Sequence, residues 1–198
     1  MKNEIEIRKR TLVVSVMLAL FVGIILIFFP KTTINTETLN ADITTLEKKF
    51  AVLSKARTNF CAGPNILELT DSDRLQGSCC SAMDFHRYKE QVEGLKKYSD
   101  IDKIPEDPYD ISKELTNELL DYQKNINLTS EQQKIYDGAV LLSDEKGPCC
   151  CKCWRWYAFE GLAKYLITEH DFNSEQIAEV WNLEDGCGGK GHAEGEGH

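Results

Sequence analysis

Eight cysteines constrain the fold of this 198-residue chain more than any other feature of its sequence. Six of them stand in two short runs, at positions 79–80 and 149–153, and the other two are the isolated Cys61 and Cys187. A disulfide between adjacent residues closes a strained ring, so neighbouring cysteines rarely pair with each other. The runs therefore need several separate sulfur partners, or shared metal ions, within one small volume.

The rest of the chain is patterned for helices. Apolar residues recur at helical spacing, and no strand-like alternation of useful length is present, so the sequence predicts an all-α fold, a bundle of five or six helices. Predicted helices cover residues 78–98, 112–125, 129–143, 154–167 and a short segment after Asn173. Two of them begin with a capping-box pattern, Thr129 with Gln132 and Asn173 with Gln176.

The amino-terminal region predicts a membrane anchor. Residues 11–29 carry no charge, and a helix of that length spans roughly 28 Å, which is close to the hydrocarbon thickness of a bilayer. A small-residue cleavage site typical of signal peptides is missing. We therefore expect a single transmembrane helix at 11–30, with the lipid bilayer as a partner. Basic residues concentrate in 1–10, which predicts a cytoplasmic amino terminus and an extracytoplasmic remainder.

Three further parts are predicted after the anchor. An amphipathic connecting helix lies within residues 31–58, a cysteine-rich helical domain covers 59–184, and a flexible Gly/His tail covers 185–198. The net charge of −9 argues against nucleic acid as a partner, because nucleic-acid binding depends on neutralising phosphates. No motif for hydrolysis, nucleotide binding or dinucleotide binding is present, so nothing in the sequence favours an enzyme.

The first cysteine run is predicted at the start of the helix over 78–98. Unpaired N–H groups and the dipole at a helix amino terminus stabilise thiolates. On such a helix Cys79, Met83 and His86 would share one face, next to Cys80. Thiolate, thioether and imidazole together suit copper(I), and thiolate with imidazole also suits zinc.

The second run repeats this arrangement. If a helix begins near Cys149, the side chains of Cys149, Cys150 and Cys153 converge while Cys151 points away. The sequence therefore predicts a soft-metal site for copper, zinc or an iron–sulfur cluster. The predicted ligands are Cys79, Cys80, Met83, His86, Cys149, Cys150 and Cys153. The other three cysteines, Cys61, Cys151 and Cys187, are secondary ligands or disulfide partners.

Two alternatives use the same cysteines without a metal. Eight cysteines could form as many as four disulfides that brace an interaction domain, or Cys150-x-x-Cys153 could exchange disulfides with partner proteins. A bracing framework would spread its cysteines along the chain, whereas these are crowded. The redox interpretation lacks the βαβ pattern of thioredoxin-like proteins. We therefore favour a metal-binding protein that functions in metal handling or detoxification.

The segment Pro148-Cys149-Cys150-Cys151-Lys152-Cys153 resembles the Pro-Cys-Tyr-Cys-Gly-Cys motif of a family of exported, membrane-attached bacterial proteins. Cys149, Cys151 and Cys153 match the three cysteines of that motif, whereas Cys150 and Lys152 replace its tyrosine and glycine. The resemblance covers at most about a third of the chain. It implies an exported, cysteine-dependent domain and assigns no reaction.

Overall fold

The computed structural model describes residues 36–189, and all eight cysteines lie among them. The contacts of the chain define two compact units, residues 1–42 and residues 43–198. Of the first unit only residues 36–42 are described, and they are helical. The second unit is described as far as Gly189.

Seven α-helices and two strands occur between residues 36 and 189. The helices are α1 (Thr36–Leu53), α2 (Ile66–Leu69), α3 (Phe85–Leu95), α4 (Lys113–Asn125), α5 (Ser130–Leu142), α6 (Trp154–Glu169) and α7 (Ser174–Leu183). A short 3-10 helix, Lys96–Tyr98, follows α3. The strands are β1 (Arg74–Gln76) and β2 (Asp110–Ser112).

The two strands make the all-α prediction of five or six helices wrong. They pair in an antiparallel sheet in which Leu75 is opposite Ile111, and both of these side chains are buried. Each strand has only three residues, which is too short for alternation to be recognised in the sequence. The sheet joins the segment that follows Cys61 to the start of α4.

Helix α6 lies at the centre of the main hydrophobic core. It is buried on several sides, as its apolar composition predicts, and it packs most extensively against α4. Gly161 makes this close approach possible, because a Cβ atom there would lie 1.9 Å from the carbonyl oxygen of Leu119. Helix α7 packs against α5, and Trp181 on α7 donates a hydrogen bond to the carbonyl oxygen of Phe159 on α6.

Two helix starts are predicted correctly from local capping signals, whereas a third start, placed without such a signal, is wrong. The capping boxes at Thr129 and Asn173 are both formed, so α5 and α7 begin where the sequence indicates. Helix α3, however, begins at Phe85 rather than near Ser78. Asp84 caps it by accepting a hydrogen bond from the backbone N–H of Arg87.

The expectation of a single-pass membrane protein with an extracytoplasmic domain is corrected as well. Among the helices between residues 36 and 189, none is long and apolar enough to cross a bilayer. The predicted spanning segment, residues 11–30, and the basic flank, residues 1–10, lie outside the described part of the chain.

Candidate metal centre

Three loops meet at one end of the helices and bring the cysteines together. They are the segment before α3 (residues 77–84), the segment before α6 (147–153) and the segment after α7 (185–189). Backbone hydrogen bonds join the first and the last of them. The N–H of Cys79 donates to the carbonyl of Gly186 at 3.2 Å, and that of Ser81 donates to the carbonyl of Cys187 at 2.8 Å.

Glycine allows these two loops to lie in contact. Gly188 has φ +85°, and a Cβ atom on it would lie 2.2 Å from the carbonyl oxygen of Ser81. The next residue, Gly189, donates its N–H to the carbonyl of Ala82 at 2.7 Å. The segment 185–189, predicted as the start of a flexible tail, is therefore held against the loop that carries Cys79. Residues 190–198 of that tail lie outside the described residues.

The sulfur atoms form one continuous cluster around Cys187. Its Sγ lies 3.3 Å from that of Cys150, 3.5 Å from that of Cys149 and 3.8 Å from that of Cys79. Cys79 Sγ in turn lies 3.6 Å from Cys80 Sγ. A cysteine from after α7 thus joins the two runs that the sequence predicted to meet.

A second part of the cluster lies beside the first. Cys61 Sγ lies 3.3 Å from Cys151 Sγ, and Cys149 Sγ lies 3.8 Å from Cys153 Sγ. The backbone N–H of Trp154 donates to the carbonyl of Ala62 at 2.7 Å, which holds the segment that follows Cys61 against the start of α6.

Three groups of three thiols have all their sulfur atoms within 4.8 Å of one another. The first contains Cys79, Cys80 and Cys187, and the second contains Cys149, Cys150 and Cys187. The third contains Cys61, Cys151 and Cys153. Together they include all eight cysteines, with Cys187 common to the first two.

The cluster lies at the protein surface with its inner edge buried. Cys149, Cys153 and Cys187 are each 3% exposed, whereas Cys80 and Cys150 are exposed. An ion could therefore reach the outer thiols from solvent while the inner thiols remain shielded from it.

The structure contains no disulfide among the eight cysteines. Even the closest of the sulfur pairs above, at 3.3 Å, is far beyond the S–S bond length of about 2.05 Å. The redox pair suggested by Cys150-x-x-Cys153 is not set apart from the other cysteines either. Cys150 contacts Cys187, whereas Cys153 contacts Cys149.

Cys153 is the thiol whose surroundings most favour the thiolate. Hydrogen bonds from the Cys149 and Cys79 thiols lower the pKa of Cys153, and the backbone N–H groups of Arg155 and Trp156 in the first turn of α6 lower it further. Cys153 is the amino-terminal cap of α6, so the predicted stabilisation at a helix start is present, but only at this last residue of the run.

The neighbouring thiols are shifted in the opposite direction. The hydrogen bond with Cys153, followed by the contact with Cys187 and by burial, raises the pKa of Cys149. Burial raises the pKa of the more exposed Cys150 to about 11. Close thiols oppose one another's ionisation because like charges repel, so a thiolate cluster needs positive charge from elsewhere.

Arg155 supplies one such charge from beneath the cluster. Its guanidinium is fully buried and interacts electrostatically with the thiols of Cys79, Cys149 and Cys187. It donates hydrogen bonds to the carbonyl oxygens of Pro108, at 3.0 Å, and Glu184. These two hydrogen bonds fix the cation on the inner side of the cysteines.

Two of the predicted ligands are not placed in these thiol groups. Met83 is 9% exposed and packs in a separate core cluster with Leu53, Tyr88 and Tyr109. The His86 side chain is 84% exposed, and its Nε2 lies 3.1 Å from Glu90 Oε1. The shared helix face predicted for Cys79, Met83 and His86 does not form, because α3 begins only at Phe85.

The other five predicted ligands, Cys79, Cys80, Cys149, Cys150 and Cys153, all belong to the cluster. Cys187 was predicted only as a secondary ligand or disulfide partner, although it is the cysteine shared by two groups. The glycines at positions 186, 188 and 189 around it are the signal that could have identified it, because glycine permits close approach between backbones.

Comparisons of this chain with protein families, with curated proteins and with solved structures find no match.

Proposed function

We propose that this protein binds soft metal ions, copper(I) or zinc, through its clustered thiolates, and that it serves in metal handling or detoxification. The observation that carries this proposal is the contact of Cys187 with thiols from two other segments of the chain, at sulfur–sulfur distances of 3.3–3.8 Å. A zinc–sulfur bond of about 2.3 Å places the sulfurs of a tetrahedral site roughly 3.8 Å apart. The observed distances are thus close to those of thiolates that share an ion.

The grouping of the thiols favours copper(I) over zinc. Each group contains three sulfurs, a ligand number that copper(I) accepts, whereas structural zinc takes four ligands. Zinc would have to draw a fourth thiolate from an adjacent group, for example Cys153 beside Cys149. In a [4Fe–4S] cluster each of the four cysteines binds a separate iron atom, which requires sulfurs farther apart than these.

The position of the cluster supports exchange of the ion rather than permanent burial. Cys61, Cys80 and Cys150 are exposed to solvent, so a donor or acceptor molecule could contact them directly. The buried thiols would hold the ion during such a transfer. This arrangement suits a protein that takes up, carries or sequesters metal.

The test is metal loading combined with a thiol count. The full chain is purified anaerobically without added thiol reductant, incubated with copper(I) or with zinc, desalted and analysed for bound metal. We expect bound metal to remain after desalting, and eight reactive thiols per unfolded chain after the metal is removed. The proposal would be overturned if the protein retained neither copper nor zinc. It would also be overturned by a thiol count showing that the freshly purified protein contains disulfides.

A triple variant supplies the control. Replacing Cys79, Cys149 and Cys187 by serine removes thiols from both groups that share Cys187, and we expect copper binding to fall to at most the one ion that the third group, Cys61, Cys151 and Cys153, can hold. Lys152→Ala alters the exposed side chain between Cys151 and Cys153 without removing a thiol and should retain the metal. Far-UV circular dichroism of both variants checks that the helices are intact.

A further inference from the structure

The cluster contains more thiols than one ion can bind. Five cysteines, Cys79, Cys80, Cys149, Cys150 and Cys187, form two groups of three that overlap at a single residue. A tetrahedral ion has four ligand positions and a trigonal ion has three. One ion at this place would leave at least one of the five thiols unused.

Cys187 has the position of a bridge between two ions. Its Sγ lies 3.8 Å from Cys79 Sγ on one side, and 3.5 Å and 3.3 Å from the sulfurs of Cys149 and Cys150 on the other. Thiolate sulfur has several lone pairs, so it can bind two soft cations at once. Its backbone is fixed for this role by the hydrogen bond from the Ser81 N–H to the Cys187 carbonyl.

Building on the proposed function, we propose that the centre is polynuclear and that at least two copper(I) ions share the Sγ of Cys187. One ion binds Cys79, Cys80 and Cys187, and the other binds Cys149, Cys150 and Cys187. Each coordination site is completed by the same sulfur atom, so filling one site orients a ligand of the other. The two ions therefore bind cooperatively.

The third thiol group extends the same cluster. Cys153 belongs to the group with Cys61 and Cys151, and its Sγ lies 3.8 Å from that of Cys149. A third ion held there would be in contact with the second group through Cys153. The protein could thus bind more metal ions than the single ion of a structural site, as expected for a protein that stores or buffers metal.

Buried positive charge supports this assignment. Copper(I) thiolate clusters carry excess negative charge, because each monovalent ion is bound by more than one thiolate. Arg155 lies on the inner side of the cluster and interacts with Cys79, Cys149 and Cys187, one or more members of each overlapping group. A guanidinium at this position stabilises the whole cluster rather than a single ligand.

Native mass spectrometry of the full reduced chain during a copper(I) titration tests the proposal. The copper is added as its acetonitrile complex, and each copper-bound species is counted at increasing copper. We expect species with two or more copper ions to appear while the apoprotein is still abundant, with little of the one-copper species. Saturation at one copper would overturn the polynuclear centre and leave the proposed function intact. Absence of copper binding would overturn the polynuclear centre, and it would overturn the proposed function too if zinc is not retained either.

Two single variants locate the bridge. In Cys187→Ser we expect loss of the cooperative two-copper species, so that one-copper protein becomes the main intermediate. Cys61→Ser also removes one thiol, but from the third group, so it should lose only the third copper and retain the cooperative two-copper species. Cooperative loading in Cys187→Ser equal to that of the wild type would overturn the bridging role.

Discussion

The Sγ atoms of Cys187 and Cys149 lie 3.5 Å apart, although 38 positions separate the two residues. Helices α6 and α7 lie between them in the sequence, and the contact depends on the chain returning after α7 to the loop that precedes α6. The thiol cluster is therefore a consequence of the tertiary fold. Its formation and the stability of the helical core should be linked.

Metal binding should stabilise the folded chain. An ion that binds only the native state at a free concentration 100-fold above its Kd adds about 2.7 kcal/mol to the free energy of unfolding. We expect copper(I) to raise the melting temperature of the reduced protein and a thiol-compatible copper chelator to reverse the increase. Cys187→Ser should show a smaller increase, whereas equal increases in variant and wild type would contradict a centre built around Cys187.

The structure also predicts that Met83 and His86 are dispensable for metal binding. Met83 packs beside Leu53, Tyr88 and Tyr109, and His86 faces solvent next to Glu90. Met83→Leu and His86→Ala should therefore retain the copper affinity of the wild type in a competition titration. A tenfold or greater loss of affinity in either variant would show that this side chain is a ligand.

Met83 and His86 were predicted as ligands but lie outside the thiol groups, and the reason shows which features could be inferred from the sequence. Capping boxes are local, and those at Thr129 and Asn173 correctly predicted the starts of α5 and α7. The predicted helix over 78–98 was placed by apolar spacing alone. The start of α3 is set instead by Asp84, a residue type that commonly caps helices.

Long-range pairings were not predictable in the same way. Strand β1 meets β2 through pairs such as Arg74 with Ser112, and three residues on each side leave no periodic signal. The cysteine runs were correctly expected to meet because crowded thiols need partners. The central place of Cys187 depends on the close contact of Gly188 with Ser81, which only the folded chain brings together.

Arg155 should be essential for the stability of the region below the cysteines. Arg155→Met would leave the carbonyl oxygens of Pro108 and Glu184 without these donors in a buried environment. We expect a loss of about 3 kcal/mol in the free energy of unfolding of the metal-free protein. Arg57→Met, which removes an exposed cation, should change it by less than about 0.5 kcal/mol. Equal effects in urea titrations would contradict this role.

Two carboxylates should give opposite pH dependences of stability. Burial raises the pKa of Glu184, which also faces Arg155 and Asp107, well above the ordinary glutamate pKa of 4.5. The folded protein therefore keeps Glu184 protonated where the unfolded chain has lost the proton, and its stability falls as the pH rises above 4.5. Glu184→Gln should therefore stabilise the metal-free protein at neutral pH. This difference should disappear near pH 4.

Glu179 provides the matched comparison. The hydrogen bond from Lys97 lowers the pKa of Glu179 below the ordinary glutamate pKa of 4.5. The ionised carboxylate therefore stabilises the folded protein at pH values above 4.5, and this contribution is lost as the pH falls. Glu179→Gln should destabilise the protein at neutral pH and have little effect in acid. Denaturant titrations of both variants between pH 4 and pH 7 would show an increase in the free energy of unfolding for one variant and a decrease for the other. A change in the same direction for both variants would contradict the assigned protonation of Glu184.

The contact of α4 with α6 predicts a steric effect at Gly161. Gly161→Ala would place a Cβ atom 1.9 Å from the carbonyl oxygen of Leu119, so the two helices must separate. We expect a loss of about 3 kcal/mol in the free energy of unfolding. Gly63→Ala is the control, because the nearest atom to its added Cβ would be the side-chain oxygen of Asn65 at 3.3 Å. Unchanged stability in Gly161→Ala would show that α4 and α6 are less closely packed.

X-ray absorption spectroscopy at the metal edge tests most directly the claim that clustered thiolates hold a soft metal ion. For zinc-loaded protein we expect a first coordination shell of sulfur alone, at about 2.3 Å. Copper(I)-loaded protein should likewise show a first shell without nitrogen or oxygen. A first shell of nitrogen or oxygen at about 2.0–2.1 Å, as in sites built from histidine or carboxylate, would contradict the account.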